Sequence, residues 1–471
     1  MGQEISSAQF KPRDFRAFAA RLASETDRLR QLFAAQAFEC ESPVGGFELE
    51  AWLVDKQAVP VPENVGFLAQ LANPEVVPEL SLFNFEINVA PQILRGAALA
   101  RFHQNLRFNW EHCRRVAKQD ERNVMAIGVH PAIDDGQLVP ENMSQSQRYK
   151  ALNAQIFAMR QQRPLAIDIH GRQHLELVHH DVMLEAATTS FQIHLQVEQR
   201  HAVRTYNAAQ IVSGPLVALS ANAPYLFGVD VCAESRIPLF EQSIDLGEKY
   251  KPRVTFGTDY VQSSLMECFQ ENIDAYPVLI PASQFSDDGD FAHLRLHNGT
   301  IWRWNRPLIG FNADGRPHLR IENRVVPAGP TMVDMIANAA FYWGVVHTLS
   351  REQVPPEGRL AFAATRDNFY SATRDGFDCE LTWLNGKRYA CCDLLKQELL
   401  PMAREGLYAL GIDGADISRY LDVLSQRIDN QQNGTNWQRR WVAKHGHDMR
   451  GLSQAYLDKQ SSDAPVHEWT I

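Results

Sequence analysis

The sequence lacks the features that mark several classes of protein. Its seven cysteines are odd in number and none forms a C-x-x-C pair, so we expect neither a disulfide framework nor a cysteine zinc site. Lys and Arg number 46 against 56 Asp and Glu, and this net charge of −10 argues against binding to nucleic acid or to an anionic membrane surface. The most apolar late stretch, residues 332–349, contains Asp334, Asn338 and His347, which argues against a membrane span. We therefore expect a cytoplasmic protein that binds neither nucleic acid nor membranes.

Short nucleotide-binding and hydrolytic motifs are also missing. The sequence contains no G-x-x-x-x-G-K-[ST] and no G-x-G-x-x-G, so neither a P-loop nor a dinucleotide-binding turn is expected. H-E-x-x-H and G-x-S-x-G are absent as well. If this chain binds ATP, metal ions and side chains on a sheet must hold the phosphates.

What is present predicts a large α+β domain with helical additions at both ends. Hydrophobic residues make up 45% and charged residues 22% of the 471, which is typical of a globular protein with a large core. Residues 14–39 have the apolar spacing of an amphipathic helix, and Asn298-Gly299 predicts a type I′ hairpin turn. We predict an N-terminal helical segment over residues 1–43, a central domain over 44–350, and a helical extension over 351–471 packed on that domain.

Four segments alternate apolar and polar residues with period two, which predicts β-strands with one polar face each. They are residues 47–53, 83–89, 191–197 and 319–325. Their polar faces carry Glu48 and Glu50, then Asn84, Glu86 and Asn88, then Gln192, His194 and Gln196, and finally Arg320, Glu322 and Arg324.

The composition of these polar faces favours a metal and phosphate site. For any single strand, the simpler interpretation is a sheet whose polar face lies in water. Four such strands together argue against that interpretation. Their polar faces carry glutamates, one histidine and arginines but no lysine. Crowded carboxylates repel each other unless cations neutralise them, so these faces favour a cation site. Oxygen ligands with one imidazole suit Mg²⁺ or Mn²⁺, and arginine suits phosphate. Metal ions with arginines are what the handling of a nucleoside triphosphate requires.

At these residues the sequence resembles the glutamate–cysteine ligases and, more broadly, bacterial carboxylate–amine ligases of the glutamine synthetase-like fold. The segments that carry the resemblance follow one another over about residues 44–350: Gly46-Phe-Glu-Leu-Glu50, the acidic pair Glu79 and Glu86, Ser190-Phe-Gln-Ile-His194, Glu234-Ser-Arg236 and Arg320-Ile-Glu-Asn-Arg324. Each motif is short, so it is their order and spacing that indicate the family.

The resemblance implies a fold and a set of site residues. The fold would be α+β, with a curved antiparallel sheet of the glutamine synthetase/guanidino kinase type and helices on its convex face. Residues 44–350 would be the catalytic ligase domain. The implied ligands of Mg²⁺ or Mn²⁺ are Glu48, Glu50, Glu79, Glu86, His194 and Glu322. The implied catalytic residues are Arg324, Arg320 and Glu50, and the implied nucleotide contacts are Arg236, Gln192 and Arg324.

The resemblance also implies an activity. ATP would phosphorylate a carboxylate, often the γ-carboxylate of glutamate, and an amine would attack the acyl phosphate to form an amide. The partners would be small amino acids and amines, and a homo-oligomer is compatible with the sequence. Two other functions stay open: a phosphotransferase of the same fold, which resembles guanidino kinases, and a nucleotide- or amino-acid-binding module that has lost catalysis.

A histidine-rich run lies outside these motifs. It contains Asp168, His170, His174 and the segment 179–181. A second metal site is one interpretation of the run. Since no spacing in it is diagnostic of a metal site, we favour histidines in loops and at strand edges.

Overall fold

The computed structural model of the chain describes residues 4–38, 40–282, 290–312 and 314–471. The strands are β1 (Val44–Val54), β2 (Val76–Pro78), β3 (Asn84–Ile93), β4 (Asn123–Met125), β5 (Leu165–His170), β6 (His174–His179), β7 (Phe191–Val197), β8 (Tyr225–Leu226), β9 (Val229–Asp230), β10 (Val254–Thr255), β11 (Trp302–Arg303), β12 (Asn305–Phe311), β13 (Pro317–Asn323), β14 (Glu380–Thr382) and β15 (Arg388–Ala390).

The helices surround these strands and dominate both ends of the chain. They are α1 (Pro12–Ala34), α2 (Asn64–Leu71), α3 (Ala98–Ala117), α4 (Gln147–Met159), α5 (Gln199–Ser220), α6 (Arg236–Ser243), α7 (Met266–Ala275), α8 (Ala292–Asn298), α9 (Met332–Arg351), α10 (Phe362–Asp375), α11 (Cys391–Leu394), α12 (Leu400–Ala409), α13 (Gly414–Asp429), α14 (Gly434–His445) and α15 (Met449–Gln460). The predicted N-terminal helix is confirmed as α1. None of the helices in the described part of the chain is long and apolar enough to cross a membrane.

Within the described ranges, seven strands form one antiparallel sheet, curled into a half-barrel, and the α+β fold class predicted from the sequence is confirmed. The strand order is β12-β13-β7-β1-β3-β2, and β4 pairs with β1. The four strands predicted from period-two alternation are β1, β3, β7 and β13, and they are consecutive in the sheet. Their polar faces therefore adjoin one another.

Helices cover the apolar face of this sheet. The ring of Phe47 on β1 lies 5.2 Å from the ring of Phe102 on α3, which in turn lies 5.3 Å from Trp343 on α9. The Trp343 indole N–H donates to the backbone carbonyl of His194 on β7. On the same side, Asn323 of β13 donates to Asn305 of β12. With one face packed in this way, only the polar face is left to form a site.

The C-terminal helices pack against α9 at very close range. A Cβ atom added to Gly344 of α9 would lie 2.3 Å from the carbonyl oxygen of Ala403, and one added to Gly406 would lie 1.9 Å from that of Gly344. Helices α9 and α12 therefore meet through backbone, which only glycine allows at these two positions. The division of the chain at residues 43 and 350 stays a prediction.

The predicted type I′ turn at Asn298-Gly299 is wrong. Asn298 is the last residue of α8, and Gly299 has a φ of −67° rather than a positive value. The Asn298 side chain is buried, where it donates to the carbonyl oxygen of Pro307 and accepts from Asn272. Those tertiary contacts place Asn298 at the end of a helix.

Candidate active site

The register of the sheet brings the predicted site residues to one face. Glu50 of β1 pairs with Glu86 of β3, and His194 of β7 pairs with Glu322 of β13. Glu48 of β1 pairs with Gln192 of β7. Side chains of directly opposed residues point to the same side of a sheet. The carboxylates and the imidazole are thus crowded by strand pairing alone.

A cavity of about 330 Å³ opens on this face. Among the described residues, six carboxylates line it: Glu48, Glu50, Glu79, Glu86, Glu185 and Glu322. Five arginines line it as well: Arg148, Arg295, Arg306, Arg320 and Arg324. An apolar wall completes the cavity, formed by Leu152, Phe269, Ile280, Leu294, Leu296, Trp302, Leu308 and Ile309. Such a lining suits a ligand with a strongly anionic part and an apolar part.

Glu48, His194 and Glu322 form the first group of potential metal ligands. Their ligand atoms all lie within 4.8 Å of one another. The His194 Nε2 atom is 3.5 Å from Glu48 and 3.8 Å from Glu322. Both ring nitrogens of His194 are buried and have no hydrogen-bond partner among the described residues. A buried imidazole whose nitrogens make no hydrogen bond is costly, and a cation between these three side chains would bind one of those nitrogens.

The ionisation of this first group suits a cation. Burial lowers the pKa of His194 to about 4, so at neutral pH its ring is uncharged and carries a free lone pair. Burial acts to raise the pKa of Glu322, but Arg306 and Arg324 outweigh it and hold that pKa far below its usual range. Arg306 donates to both oxygens of Glu322, at 2.7 and 3.0 Å. Glu322 is therefore ionised and fixed in orientation.

Glu50, Glu79 and Glu86 form the second group, again with ligand atoms within 4.8 Å of one another. Glu50 accepts from the backbone N–H of Ser190 and from the Gln192 amide, both at 2.7 Å. Glu79 accepts from the Tyr149 hydroxyl at 3.1 Å. These neighbours orient the carboxylates towards the cavity.

The pKa values of the second group are raised. Burial and the neighbouring Glu86 raise the pKa of Glu50 to about 7, despite Arg324. Burial and Glu50 raise the pKa of Glu79 to about 7, and burial with Glu48 and Glu79 raises that of Glu86 well above its usual range. Three carboxylates in one place repel each other, so protons or metal cations must balance their charge. Both groups consist of oxygens with at most one imidazole, a donor set that fits Mg²⁺ or Mn²⁺.

The predicted arginines differ in their surroundings. Arg320 and Arg324 both line the cavity. Arg324 donates to Glu322 at 3.2 Å and to the side-chain oxygen of Gln192. Arg236 is not among the lining residues: it pairs with Glu234 and donates to the carbonyl oxygens of Arg324 and Val325 at 3.2 and 2.6 Å. It thus supports the backbone that carries Arg324, and its contact with a nucleotide stays a prediction.

Several residues of this cavity are not predicted by any pattern in the sequence. Arg306 lies opposite Glu322 in the β12–β13 register. Only this pairing of strands indicates that Arg306 belongs to the site. Glu185 lies in a short 3₁₀ turn, Met183–Ala187, and burial and Glu50 raise its pKa to about 7. Arg148 and Tyr149 come from the first turn of α4, and Arg295 comes from α8. No local pattern marks these positions.

The chain matches one protein-family model and is similar in fold to two solved structures. Residues 44–458 match the model of glutamate–cysteine ligase family 2 (GCS2). No curated protein matches the chain in sequence. A solved glutamate–cysteine ligase from Francisella tularensis in complex with AMP is similar at 12% identity and a TM-score of 0.57, with 90% of each chain covered. A bifunctional glutathione synthetase from Pasteurella multocida is similar at 10% identity and a TM-score of 0.51, with 92% of this chain and 54% of that chain covered.

Proposed function

The chain belongs to glutamate–cysteine ligase family 2 and is an ATP-dependent carbon–nitrogen ligase, and from this premise we propose that it forms a γ-glutamyl amide through an acyl-phosphate intermediate. The observation that supports the proposal most strongly is that two groups of potential metal ligands and several arginines lie around one cavity. The metal ion and the residues that would contact ATP belong to the proposal too.

The acidic groups are suited to hold divalent ions. Glu48, His194 and Glu322 would hold one, and Glu50, Glu79 and Glu86 another. Bound Mg²⁺ or Mn²⁺ supplies charge neutralisation on phosphate oxygens. Two observations on the described residues support these sites. The nitrogens of His194 make no hydrogen bond, which supports the first site, and the crowding of three carboxylates supports the second.

The arginines are suited to the transferring phosphoryl group. A substrate carboxylate oxygen would attack the γ-phosphorus, the bond from that phosphorus to ADP would break, and Arg320 and Arg324 would stabilise the charge on the equatorial oxygens. The amine would then attack the acyl carbon and lose a proton, so that the C–N bond forms as the C–O bond to the phosphoryl group breaks and inorganic phosphate leaves. A carboxylate is a poor acylating agent, so phosphorylation provides the leaving group that amide formation needs.

The decisive experiment measures ADP release by the purified chain with Mg·ATP over a matrix of carboxylic amino acids and amines, with mass spectrometry of the products. We expect ADP release that depends on both an acid and an amine, and a product with the mass of a γ-glutamyl amide. ADP release with a phosphorylated product and no use of amine would instead support the phosphotransferase. Binding of Mg·ATP without ADP release in any combination would support the binding module.

Glu50 and Glu322 provide the matched test of the site. Glu50→Gln and Glu322→Gln should each reduce ADP release by at least about 100-fold, because each removes a charge that holds a cation at the phosphates. Glu121→Gln is the control, since Glu121 is exposed, lies outside the cavity and pairs with Lys56. If Glu50→Gln kept the activity of Glu121→Gln, the assignment of the metal ligands would be wrong.

A further inference from the structure

A third group of metal-binding side chains lies outside the cavity, on the exposed face of the β5–β6 hairpin. Its members are Asp168, His170 and His174, and their ligand atoms lie within 4.8 Å of one another. The Nε2 atoms of His170 and His174 both approach the same oxygen of Asp168, at 3.1 and 2.7 Å. The two imidazole rings are stacked, with centroids 4.1 Å apart and planes within 8°. Two donor nitrogens and a carboxylate therefore converge on one point.

Strand pairing creates this convergence. His170 and His174 are directly opposed as the last pair of the hairpin, and Asp168 lies two residues before His170 on the same face of β5. The alternate residues Ile167, Ile169 and Leu175 are buried on the other face. A shift of one residue in register would bury the imidazoles and expose the isoleucines, so the buried face fixes the position of the exposed one.

The backbone that carries these side chains is anchored at both ends. The backbone N–H of Asp168 donates to the Gln242 side chain at 2.7 Å, and the Asp168 carbonyl accepts from the same side chain at 3.0 Å. In the turn, the Arg172 N–H donates to the carbonyl oxygen of Val231 at 2.6 Å. A Cβ atom added to Gly171 would lie 1.9 Å from that oxygen, so the turn lies directly against β9 and its neighbours. A fixed backbone lowers the cost of ordering the ligands when an ion binds.

We propose that Asp168, His170 and His174 bind a divalent transition-metal ion of the Zn²⁺ class on the surface of the hairpin. Two imidazole nitrogens and one carboxylate oxygen form a donor set that favours Zn²⁺, Ni²⁺ or Cu²⁺ over Mg²⁺. Zinc at this site would bind the two Nε2 atoms that now approach the Asp168 carboxylate. Since all three residues are exposed, water would complete the coordination.

This site differs from the cavity in chemistry and in place. None of its three residues lines the cavity, and the carboxylate-rich groups there suit Mg²⁺. The ion would join two adjacent strands near the anchor to α6. We therefore expect it to stabilise the hairpin while the basal activity with Mg·ATP stays unchanged.

The test uses the full chain without a polyhistidine tag, stripped of metal and held in excess Mg²⁺ so that oxygen-rich sites are occupied. Calorimetric titration with Zn²⁺ gives the stoichiometry and affinity, and Co²⁺ gives an absorption spectrum that reports coordination. We expect the double variant His170→Ala/His174→Ala to bind one Zn²⁺ fewer per chain than the wild type. Each single variant should bind that ion at least about tenfold more weakly.

The control is His445→Ala, which removes an exposed histidine outside the hairpin. It should leave both stoichiometry and affinity unchanged. Without metal, the double variant and the wild type should have the same Tm. Zn²⁺ should then raise the Tm of the wild type more than that of the double variant. Equal Zn²⁺ stoichiometry and affinity in the wild type and the double variant would overturn the proposal.

Discussion

At the scale of single residues, the carboxylates of the candidate active site differ in how their negative charge is compensated. Glu322 is compensated by Arg306 and Arg324, which keep it ionised. Glu79 and Glu86 face each other with raised pKa values, and no arginine donates a hydrogen bond to either among the described residues. The two groups of carboxylates therefore differ before any metal ion binds: Glu322 of the first group is already paired with two arginines, whereas Glu79 and Glu86 of the second group repel each other without such a partner among the described residues.

The two hydrogen bonds from the Arg306 guanidinium to Glu322 should contribute more to activity than the positive charge of Arg306. Arg306→Lys keeps the positive charge but loses one of the two hydrogen bonds to Glu322. We expect kcat/KM to fall roughly tenfold and the Mn²⁺ concentration for half-maximal activity to rise, because Glu322 is less well oriented. Arg316→Lys, in the loop before β13, is the control because Arg316 is exposed and pairs with Asp314. Equal kinetics in the two variants would contradict this role.

Glu241 should make stability depend on pH. Burial raises its pKa to about 7, and it accepts from the Trp304 indole and the Tyr370 hydroxyl, each at 2.9 Å. A raised pKa means that the folded chain holds the proton between about pH 4.5 and 7 while the unfolded chain has lost it. The contribution to stability is therefore present at low pH and is lost as the pH rises to about 7.

The variant Glu241→Gln keeps an oxygen acceptor and removes the charge. Its Tm relative to the wild type should accordingly increase between pH 5 and pH 8, measured by differential scanning calorimetry. Glu248→Gln changes an exposed glutamate that follows α6 in the sequence, and it should show no such trend. A constant Tm difference between Glu241→Gln and the wild type across this range would show that Glu241 does not titrate there.

At the scale of elements, a buried ion pair joins α9 to α13. Arg427 donates to Asp334 at 2.9 Å and to Asn338 at 2.6 Å, and both members of the ion pair are almost fully buried. The other Asp334 oxygen accepts from Thr331 and from the backbone N–H of Val466. One carboxylate thus connects the start of α9, helix α13 and the C-terminal segment.

Arg427→Met should lower the free energy of unfolding by about 3–5 kcal/mol, because it leaves Asp334 buried without its cation. Urea denaturation followed by circular dichroism measures the change. Arg404→Met removes an exposed partner of Asp422, 3.8 Å away, and should cost at most about 1 kcal/mol. A loss no greater in Arg427→Met than in Arg404→Met would mean that water or another group compensates Asp334.

The elements also show what could be predicted from the sequence. Strands β1, β3, β7 and β13 were predictable because period-two alternation is local, and they carry most of the proposed ligands. Arg306 was not predictable, because its role depends on the pairing of β12 with β13. The end of α8 at Asn298 and the position of Glu185 likewise depend on contacts between distant segments. Local pattern identified the strands, whereas tertiary pairing completed the site.

At the scale of the whole molecule, α9 is the element shared by the sheet and the C-terminal helices. Trp343 of α9 donates to the β7 backbone on one side. On the other side, Gly344 meets Gly406 and Ala403 of α12, and Thr348 donates to the carbonyl of Met402. Helix α9 is apolar on nearly all its surface and is buried accordingly. A helix of this kind needs neighbours on every side.

We propose on this basis that residues 351–471 pack on the central domain and that the central domain cannot fold without them. The fragment 1–350 would expose the face of α9 that now contacts α12 and α13, and it would leave Asp334 without Arg427. We expect it to aggregate when produced alone and to yield soluble ligase when residues 351–471 are co-expressed as a second chain. Size-exclusion chromatography and thermal unfolding of both samples measure this. A monodisperse fragment 1–350 with a cooperative unfolding transition would instead make the C-terminal helices a separable addition, since burial of α9 would then not be required for the fold.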